Sequence, residues 1–360
     1  MRIIIAGGGT GGHLFPGIAI AEEFIKRDQE NKILFIGTER GIEKRILGNG
    51  KMGFNLRTID IEGVKGRSLT NIIGAVLKIP GSLIQSSRII REFCPDIVIG
   101  VGGYASGPAV IAAHFMGIKT AITEQNALPG ITNRILGKFV DRIFLTFSDT
   151  KKWFPEEKTI VSGNPIRSAF FKENGDEKKL FRKFTLLIFG GSQGAHSINM
   201  AIRDALPYLQ EMKSAVKIIH QTGSTDMDSV SAFYRSSRFD AEVLPFITDM
   251  AHAYRSSDLL ICRAGATSIA EITASGKASI LIPFPYATND HQTKNAEALV
   301  KAGAAVMLPE ADLSGKKLSE IIEHIYKNPE ILQDMEAKSA HLGNKKAASD
   351  IVDHCIAMVT

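Results

Sequence analysis

Five glycines in six positions stand between an apolar run and a histidine in Ile3-Ile4-Ile5-Ala6-Gly7-Gly8-Gly9-Thr10-Gly11-Gly12-His13. Glycine lets backbone N–H groups approach a ligand closely. A helix start behind it adds unpaired donors and the positive end of a dipole. The order strand, glycine loop, helix therefore makes a site for an anion or polar ligand. His13 heads the helix. The device recurs in Leu186-Leu187-Ile188-Phe189-Gly190-Gly191-Ser192-Gln193-Gly194-Ala195-His196. A third such stretch runs from Asp258 through Cys262-Arg263-Ala264-Gly265-Ala266-Thr267-Ser268-Ile269-Ala270-Glu271. Thr267 and Ser268 suit a helix start, which can hold a phosphate. Glu271 lies about one turn further on. Its carboxylate suits a ribose diol or, more plainly, complements the helix dipole.

Other residues extend these loops. Glu124-Gln125-Asn126 follows an apolar run, and Gly102-Gly103-Tyr104 with Ser106-Gly107-Pro108 forms a second loop in the first half. Arg167 has the charge to neutralise a diphosphate. Pro283 to Gln292 reads as a stiff loop entering a helix, with groups that could meet sugar hydroxyls or with Asp290 as an ordinary cap. Asp226-Met227-Asp228 has the spacing of a metal-holding pair but reads as a solvated loop. No metal constellation is present, and no cofactor is implied; stimulation by Mg²⁺ stays open. Gly7-x-Gly9-x-x-Gly12 fits the dinucleotide fingerprint formally. The acid that fold needs after its second strand is missing at Ile36-Gly37-Thr38, with Glu39 late, which argues against NAD.

These loops need rigid elements behind them. Apolar strand-like runs at 2–6, 32–36, 96–101, 119–123 and 141–147 alternate with helical patterns at 16–27, 40–48, 82–92, 107–116 and 131–138. Strands near 216–220, 241–244, 258–262, 279–282 and 305–308 follow in the second half. Alternation of this kind predicts parallel sheets covered on both faces, with ligands at the strands' carboxyl ends. A turn at Val161-Ser162-Gly163-Asn164-Pro165 marks a boundary. We expect an N-terminal domain over 1–163, a C-terminal domain over 164–345, and a helix over 346–360 that docks on either. The fold class is α/β with two Rossmann-like halves.

Composition limits the classes further. Hydrophobic residues at 44% and charged residues at 22% describe a globular protein. A net charge of +5 suits a phosphorylated ligand or an anionic membrane face and is too weak to argue for nucleic acid. Cys94, Cys262 and Cys355 are odd in number and far apart, which predicts a reducing compartment. The opening apolar run is too short for a signal peptide. Ile97 to Ile118 lacks charge, but its glycines and Pro108 argue against one membrane-spanning helix.

The motifs Gly8-Gly9-Thr10-Gly11-Gly12-His13-Leu14-Phe15-Pro16-Gly17, Gly102 to Pro108, Glu124-Gln125-Asn126, Gly163-Asn164-Pro165-Ile166-Arg167, Gly190 to Gly194, His220-Gln221-Thr222-Gly223 and Cys262 to Glu271 span nearly the whole chain. Together they resemble the MurG family, peripheral membrane enzymes that move N-acetylglucosamine from UDP-N-acetylglucosamine onto lipid I, giving lipid II for peptidoglycan. The resemblance implies a GT-B fold with a deep interdomain cleft, an acceptor-binding N-terminal domain and a donor-binding C-terminal domain. It implies donor contacts from Thr10, Gly11, Gly12, Asn126, Arg167, Ser192, Ile247, Ala266, Thr267, Ser268, Ile269, Ala270, Glu271 and Gln292. Gly102, Gly103, Tyr104 and Ser106 are assigned to the acceptor's diphosphate. The chain departs from the family at Thr123, often His, and at Ala264, often Ser. His13, then Glu124, are candidates for the base in an inverting displacement. A membrane-bound acceptor calls for a membrane-facing patch on the cytoplasmic leaflet. Ile72, Ile73, Val76, Leu77 and Lys78, near Ile79, Lys65, Arg67 and Arg88, supply apolar and basic residues for one; ordinary helix packing is the alternative. The rival readings are another GT-B enzyme of UDP-sugars, including a UDP-N-acetylglucosamine 2-epimerase, and a non-catalytic UDP-sugar-binding protein.

Overall fold

Ile3, Ile4 and Ile5 have no exposed surface, and neither have Ile97, Val98 and Ile99. Strands apolar on both faces belong in the middle of a parallel sheet with helices above and below. The structure is a computed structural model; it describes residues 1–39, 41–48, 53–61, 69–171, 183–287 and 290–360, apart from the side chains of Arg45 and of residues 69–77. Lys65 and Arg67, and the side chains of Ile72, Ile73, Val76 and Leu77, lie outside what it describes.

The chain divides into two units, Met1–Arg167 with Lys345–Thr360, and Ser168–Asn344. The first runs β1 (Arg2–Ala6), α1 (Gly11–Arg27), β2 (Lys32–Thr38), α2 (Ile42–Leu47), β3 (Asn55–Ile59), α3 (Leu69–Phe93), β4 (Ile97–Gly100), α4 (Ser106–Phe115), β5 (Lys119–Glu124), α5 (Ile131–Leu136), β6 (Arg142–Leu145) and β7 (Thr159–Val161). Its strands lie in the order β3-β2-β1-β4-β5-β6-β7, all paired in parallel. Chain order reverses between β1 and β4. In open sheets of this kind the ligand crevice lies outside the carboxyl ends at that reversal, where the first glycine loop and the Gly102-Gly103 loop sit.

The second unit runs β8 (Phe184–Phe189), α6 (His196–Ala205), β9 (Val216–Gln221), α7 (Met227–Ser237), β10 (Asp240–Leu244), α8 (Met250–Arg255), β11 (Leu259–Cys262), α9 (Ala266–Ala274), β12 (Ala278–Leu281), α10 (His291–Lys301), β13 (Ala305–Met307), α11 (Gly315–Lys327) and α12 (Pro329–Leu342). Its order, β10-β9-β8-β11-β12-β13, is again parallel. The reversal falls between β8 and β11, so residues 190–195 and 263–265 share its crevice. The last helix, α13 (Ala347–Val359), returns to the first unit. Ile351, Val352 and Cys355 join Ile18 and Phe24 in one core, and Arg27 reaches Asp353 at 2.9 Å.

Four elements differ from expectation. Strands β3 and β7 were not foreseen: β3 alternates exposed Asn55 and Arg57 with more buried neighbours, and β7 has three residues. Both are edge strands, where the apolar signal is weakest. Helix α3 runs through Pro80, where the sequence suggested a start at 82. Helix α1 begins at Gly11, five residues early, so Gly11, Gly12 and His13 form its first turn. Ile97 to Ile118 is β4, a glycine loop and α4, as expected. Among the described residues no helix is long and apolar enough to cross a membrane.

Candidate active site

At the first reversal two glycine loops meet backbone to backbone. The Gly8 N–H donates to the Gly102 carbonyl at 3.3 Å. Gly102 and Gly103 have φ of +93° and +80°. A Cβ at Gly102 would stand 2.5 Å from His13 Nδ1, and one at Gly103 would strike the Gly8 carbonyl. Close packing alone thus demands glycine at both positions. Tyr104 beside them is exposed, whereas the buried Ser106 Oγ has no hydrogen-bond partner among the described residues.

Thr10 is the N-cap of α1, with extended backbone and a hydroxyl that caps nothing. The Phe15 ring lies against Gly11, and the Arg167 guanidinium stacks on that ring 4.1 Å from its centroid. Such a cation–π contact contributes about 0.5–2 kcal/mol and here places a fixed positive charge beside the helix start. Thr10, Gly11, Gly12, His13 and Arg167 are therefore gathered on one end of α1. His13 Nδ1 lies 3.2 Å from Gln125 Oε1.

Glu124 is buried and fully engaged. Its Oε1 accepts from the Asn126 N–H at 3.0 Å, and its Oε2 from the Gly130 N–H at 3.1 Å and from Asn133 Nδ2 at 2.9 Å. The carboxylate ties residues 124–133 into a turn and holds Asn126 in place. Sequence reasoning missed Glu43. It comes from α2, has no exposed surface, and accepts from the Gly9 N–H at 2.8 Å and the Thr38 N–H at 2.7 Å. Side chains at Gly8, Gly37 or Gly41 would collide with its carboxylate. An acid does meet this glycine loop, then, but it is the protein's own and occupies a loop donor that a dinucleotide would use. The glycines at 37 and 41, both N-terminal to Glu43, were the available signal.

In the second unit β11 ends at Cys262 and α9 opens from Gly265, whose backbone is extended. Gly265, not Thr267 or Ser268, is the N-cap, so both hydroxyl residues stand inside the first turn. Ala266, Thr267 and Ser268 bring the N–H groups of the first helical turn, and the positive end of its dipole, to the crevice. Glu271 follows on the buried side of the next turn at 7% exposure. Burial and the Glu271 charge together push the Cys262 thiol up. Arg263 is committed elsewhere: it pairs with Glu310 at 2.5 Å and donates to Ser197 Oγ at 2.8 Å. Gln221 donates to the Gly191 carbonyl at 2.8 Å and accepts from the Ile247 N–H at 2.7 Å, fixing the Ser192 loop against Ile247. Gln292 accepts from the Phe284 N–H at 3.0 Å. Asp290 is the N-cap of α10 in left-handed backbone, but its side chain makes no cap hydrogen bond and accepts from Thr293 Oγ1.

Asp226 corrects the expectation of a solvated loop. It is nearly buried because it starts α7 facing α6, where it accepts from His196 Nδ1 at 3.0 Å and Asn199 Nδ2 at 2.7 Å. Asp228 lies exposed on the first turn of α7. Among the described residues no cluster of His, Cys, Asp and Glu has the arrangement of a metal site.

Residues 3–145 match the glycosyltransferase family 28 N-terminal domain, and residues 185–354 match the family 28 C-terminal domain. The UDP-N-acetylglucosamine--N-acetylmuramyl-(pentapeptide) pyrophosphoryl-undecaprenol N-acetylglucosamine transferase of Syntrophus aciditrophicus is 64% identical, covering 100% of this chain and 99% of that one. The crystal structure of Acinetobacter baumannii MurG aligns with a TM-score of 0.76 at 31% identity, over 99% of each chain. A Neisseria meningitidis UDP-GlcNAc 2-epimerase bound to UDP-GlcNAc aligns with a TM-score of 0.69 over 99% of this chain and 100% of its own, but at 14% identity it shares the fold alone. Both family 28 domains in order, two parallel α/β units and full-length identity of this size lead to one conclusion: the chain belongs to the MurG family of glycosyltransferases.

Proposed function

We propose that this protein transfers N-acetylglucosamine from UDP-N-acetylglucosamine to the 4-hydroxyl of the MurNAc sugar of lipid I, forming lipid II. The carrying observation is that each unit places a glycine loop and a helix start at its own reversal point, in a chain 64% identical to a transferase of that name. In this reading the second unit holds the donor. The α9 start meets the diphosphate, Glu271 the ribose and Gln292 the sugar hydroxyls, and Ser192 and Ile247 add further donor contacts. Thr10, Gly11, Gly12, Asn126 and Arg167 add donor contacts from the first unit, and the loop with Tyr104 and Ser106 serves the acceptor's diphosphate.

His13 acts as the base. Glu124, with its oxygens already accepting from the 124–133 turn, is the weaker choice. The acceptor oxygen attacks C1 of the donor sugar as its proton passes to the imidazole. The bond from C1 to the diphosphate breaks with inversion, and UDP leaves with the electron pair. Helix-start N–H groups and Arg167 stabilise that developing charge. His13→Asn is expected to lower kcat about 10²–10⁴-fold with little change in donor KM.

Attachment to the cytoplasmic membrane face belongs to the same proposal. Phe115 is 77% exposed, Ile131 75% and Ile84 72%. They stand on α3, α4 and α5, which pack side by side. His114 meets the Phe139 ring at 5.6 Å, and Arg134 covers Trp153 at 4.6 Å. Exposed Arg134 on α5, Lys138 just after it, and Lys151 and Lys152 beside Trp153 in the chain add positive charge. Apolar area accompanied by basic residues suits an anionic bilayer. On α3, Lys78 pairs with Asp60 at 2.9 Å.

The test supplies purified protein with labelled UDP-N-acetylglucosamine and lipid-diphosphate-MurNAc-pentapeptide, and follows sugar transfer and UDP release. Acceptor-dependent transfer is expected. Sugar epimerised without acceptor would support the epimerase instead, and donor binding without turnover the binding protein.

A further inference from the structure

The base assigned above needs its lone pair on one particular nitrogen, and a buried amide decides which. Gln125 is 2% exposed. Its Nε2 donates to the Val101 carbonyl at 3.2 Å and to Thr123 Oγ1 at 2.7 Å. A backbone carbonyl can only accept, so the NH₂ half of the amide must face Val101. The oxygen half then faces the imidazole, 3.2 Å from His13 Nδ1. An amide oxygen also only accepts, so Nδ1 must carry the proton. In a neutral imidazole this leaves the lone pair on Nε2. Gly102 completes the arrangement, because its missing side chain makes room for the ring.

We propose that Gln125 is a positioning residue that holds His13 in the Nδ1–H tautomer, making Nε2 the proton acceptor in the transfer reaction. The role in transfer rests on the reading of His13 as base; the tautomer does not. Thr123 thereby orients the amide that orients the base. The second unit handles its helix-start histidine differently: His196 Nδ1 lies 3.0 Å from both carboxylate oxygens of Asp226. A carboxylate there brings a negative charge to the ring. The amide at His13 fixes the tautomer without adding one.

The test is two-bond ¹H–¹⁵N correlation NMR on histidine-labelled full-length protein, at a pH where the rings are neutral. The His13 signals are those lost in His13→Asn. A pyrrole-type shift at Nδ1 and a pyridine-type shift at Nε2 are expected. The reverse pattern in the unmodified protein would overturn the proposal, whatever the variants do. Gln125→Met, checked for folding by circular dichroism and UDP binding, is expected to release the ring to the Nε2–H form. Its kcat should fall at least about tenfold with donor KM little changed. A folded Gln125→Met that keeps the Nδ1–H pattern, or keeps its kcat, also overturns it. If His13→Asn retains full activity while the Nδ1–H pattern is present, the base reading fails and the tautomer assignment stands.

Discussion

At the scale of single residues, burial decides what each polar group can do. Glu43 has no exposed surface, and its carboxylate satisfies the N–H groups of Gly9 and Thr38 and the Thr38 hydroxyl. Removing an acceptor leaves buried donors unmet, each worth about 1–3 kcal/mol. Glu43→Ala should therefore destabilise the first unit by about 3 kcal/mol. Urea unfolding followed by Trp153, the single tryptophan of the chain and a first-unit residue, would show this as a lower midpoint. His220 is the counterpart in the second unit. It has no exposed surface and lies between Tyr234 Oη at 2.9 Å and Asn199 Oδ1 at 3.0 Å. Burial pushes its imidazole down to about 3, with the Asp226 charge opposing in part. The unfolded chain binds this proton below about pH 6.5, whereas the folded chain does so only near 3. Acid therefore favours unfolding across that window, by about 1.4 kcal/mol per pH unit. Hydrogen exchange of β9 amides should show the second unit about 2 kcal/mol less stable at pH 5 than at neutral pH, with a flatter dependence in His220→Gln.

At the scale of elements, strands set the site and helices seal it. Strands β1 and β4, and again β8 and β11, are buried on both faces, so the loops at their carboxyl ends start from rigid points. Helix α13 shows how a distant segment supports such a point. Ile351 is fully buried in the same core as Leu14 and Ile18 of α1, the helix that carries His13. Ile351→Ala should lower first-unit stability by about 3 kcal/mol through lost burial and a residual cavity. The Trp153 midpoint should fall with the urea dependence unchanged. An unchanged midpoint would mean that α13 contributes little to holding α1.

At the scale of the whole molecule, the chain has two units with the same strand order but for the extra edge strand β7 in the first, each with its own reversal point and its own helix-start histidine. The surface of the first unit adds the exposed apolar residues on α3, α4 and α5. Replacing Phe115, Ile131 and Ile135 by Ser should release the protein from anionic vesicles in flotation, while affinity for UDP-N-acetylglucosamine stays as it was. Unchanged flotation by that variant would move the membrane contact elsewhere. Ile73→Ser with Leu77→Ser tests the stretch of α3 first expected to serve.

The amino-acid sequence by itself determined the class of the fold, because central parallel strands are continuous apolar runs and glycine loops mark their ends. The repeat of residues 3–13 at 186–196 declared two similar halves. Local pattern does not carry edge strands or helix ends well. β3 alternates weakly, and α1 starts inside a glycine run, where its first-turn His13 packs against Gly102. Partnerships across long separations were decided by the tertiary structure alone. Glu43 meets Gly9, Gln125 meets His13, and Asp226 meets His196, at separations of 34, 112 and 30 residues. Hydrogen-bond pairing at that range depends on which loops the sheet order makes neighbours. Sheet order is a property of the packed core, so no spacing along the chain records it.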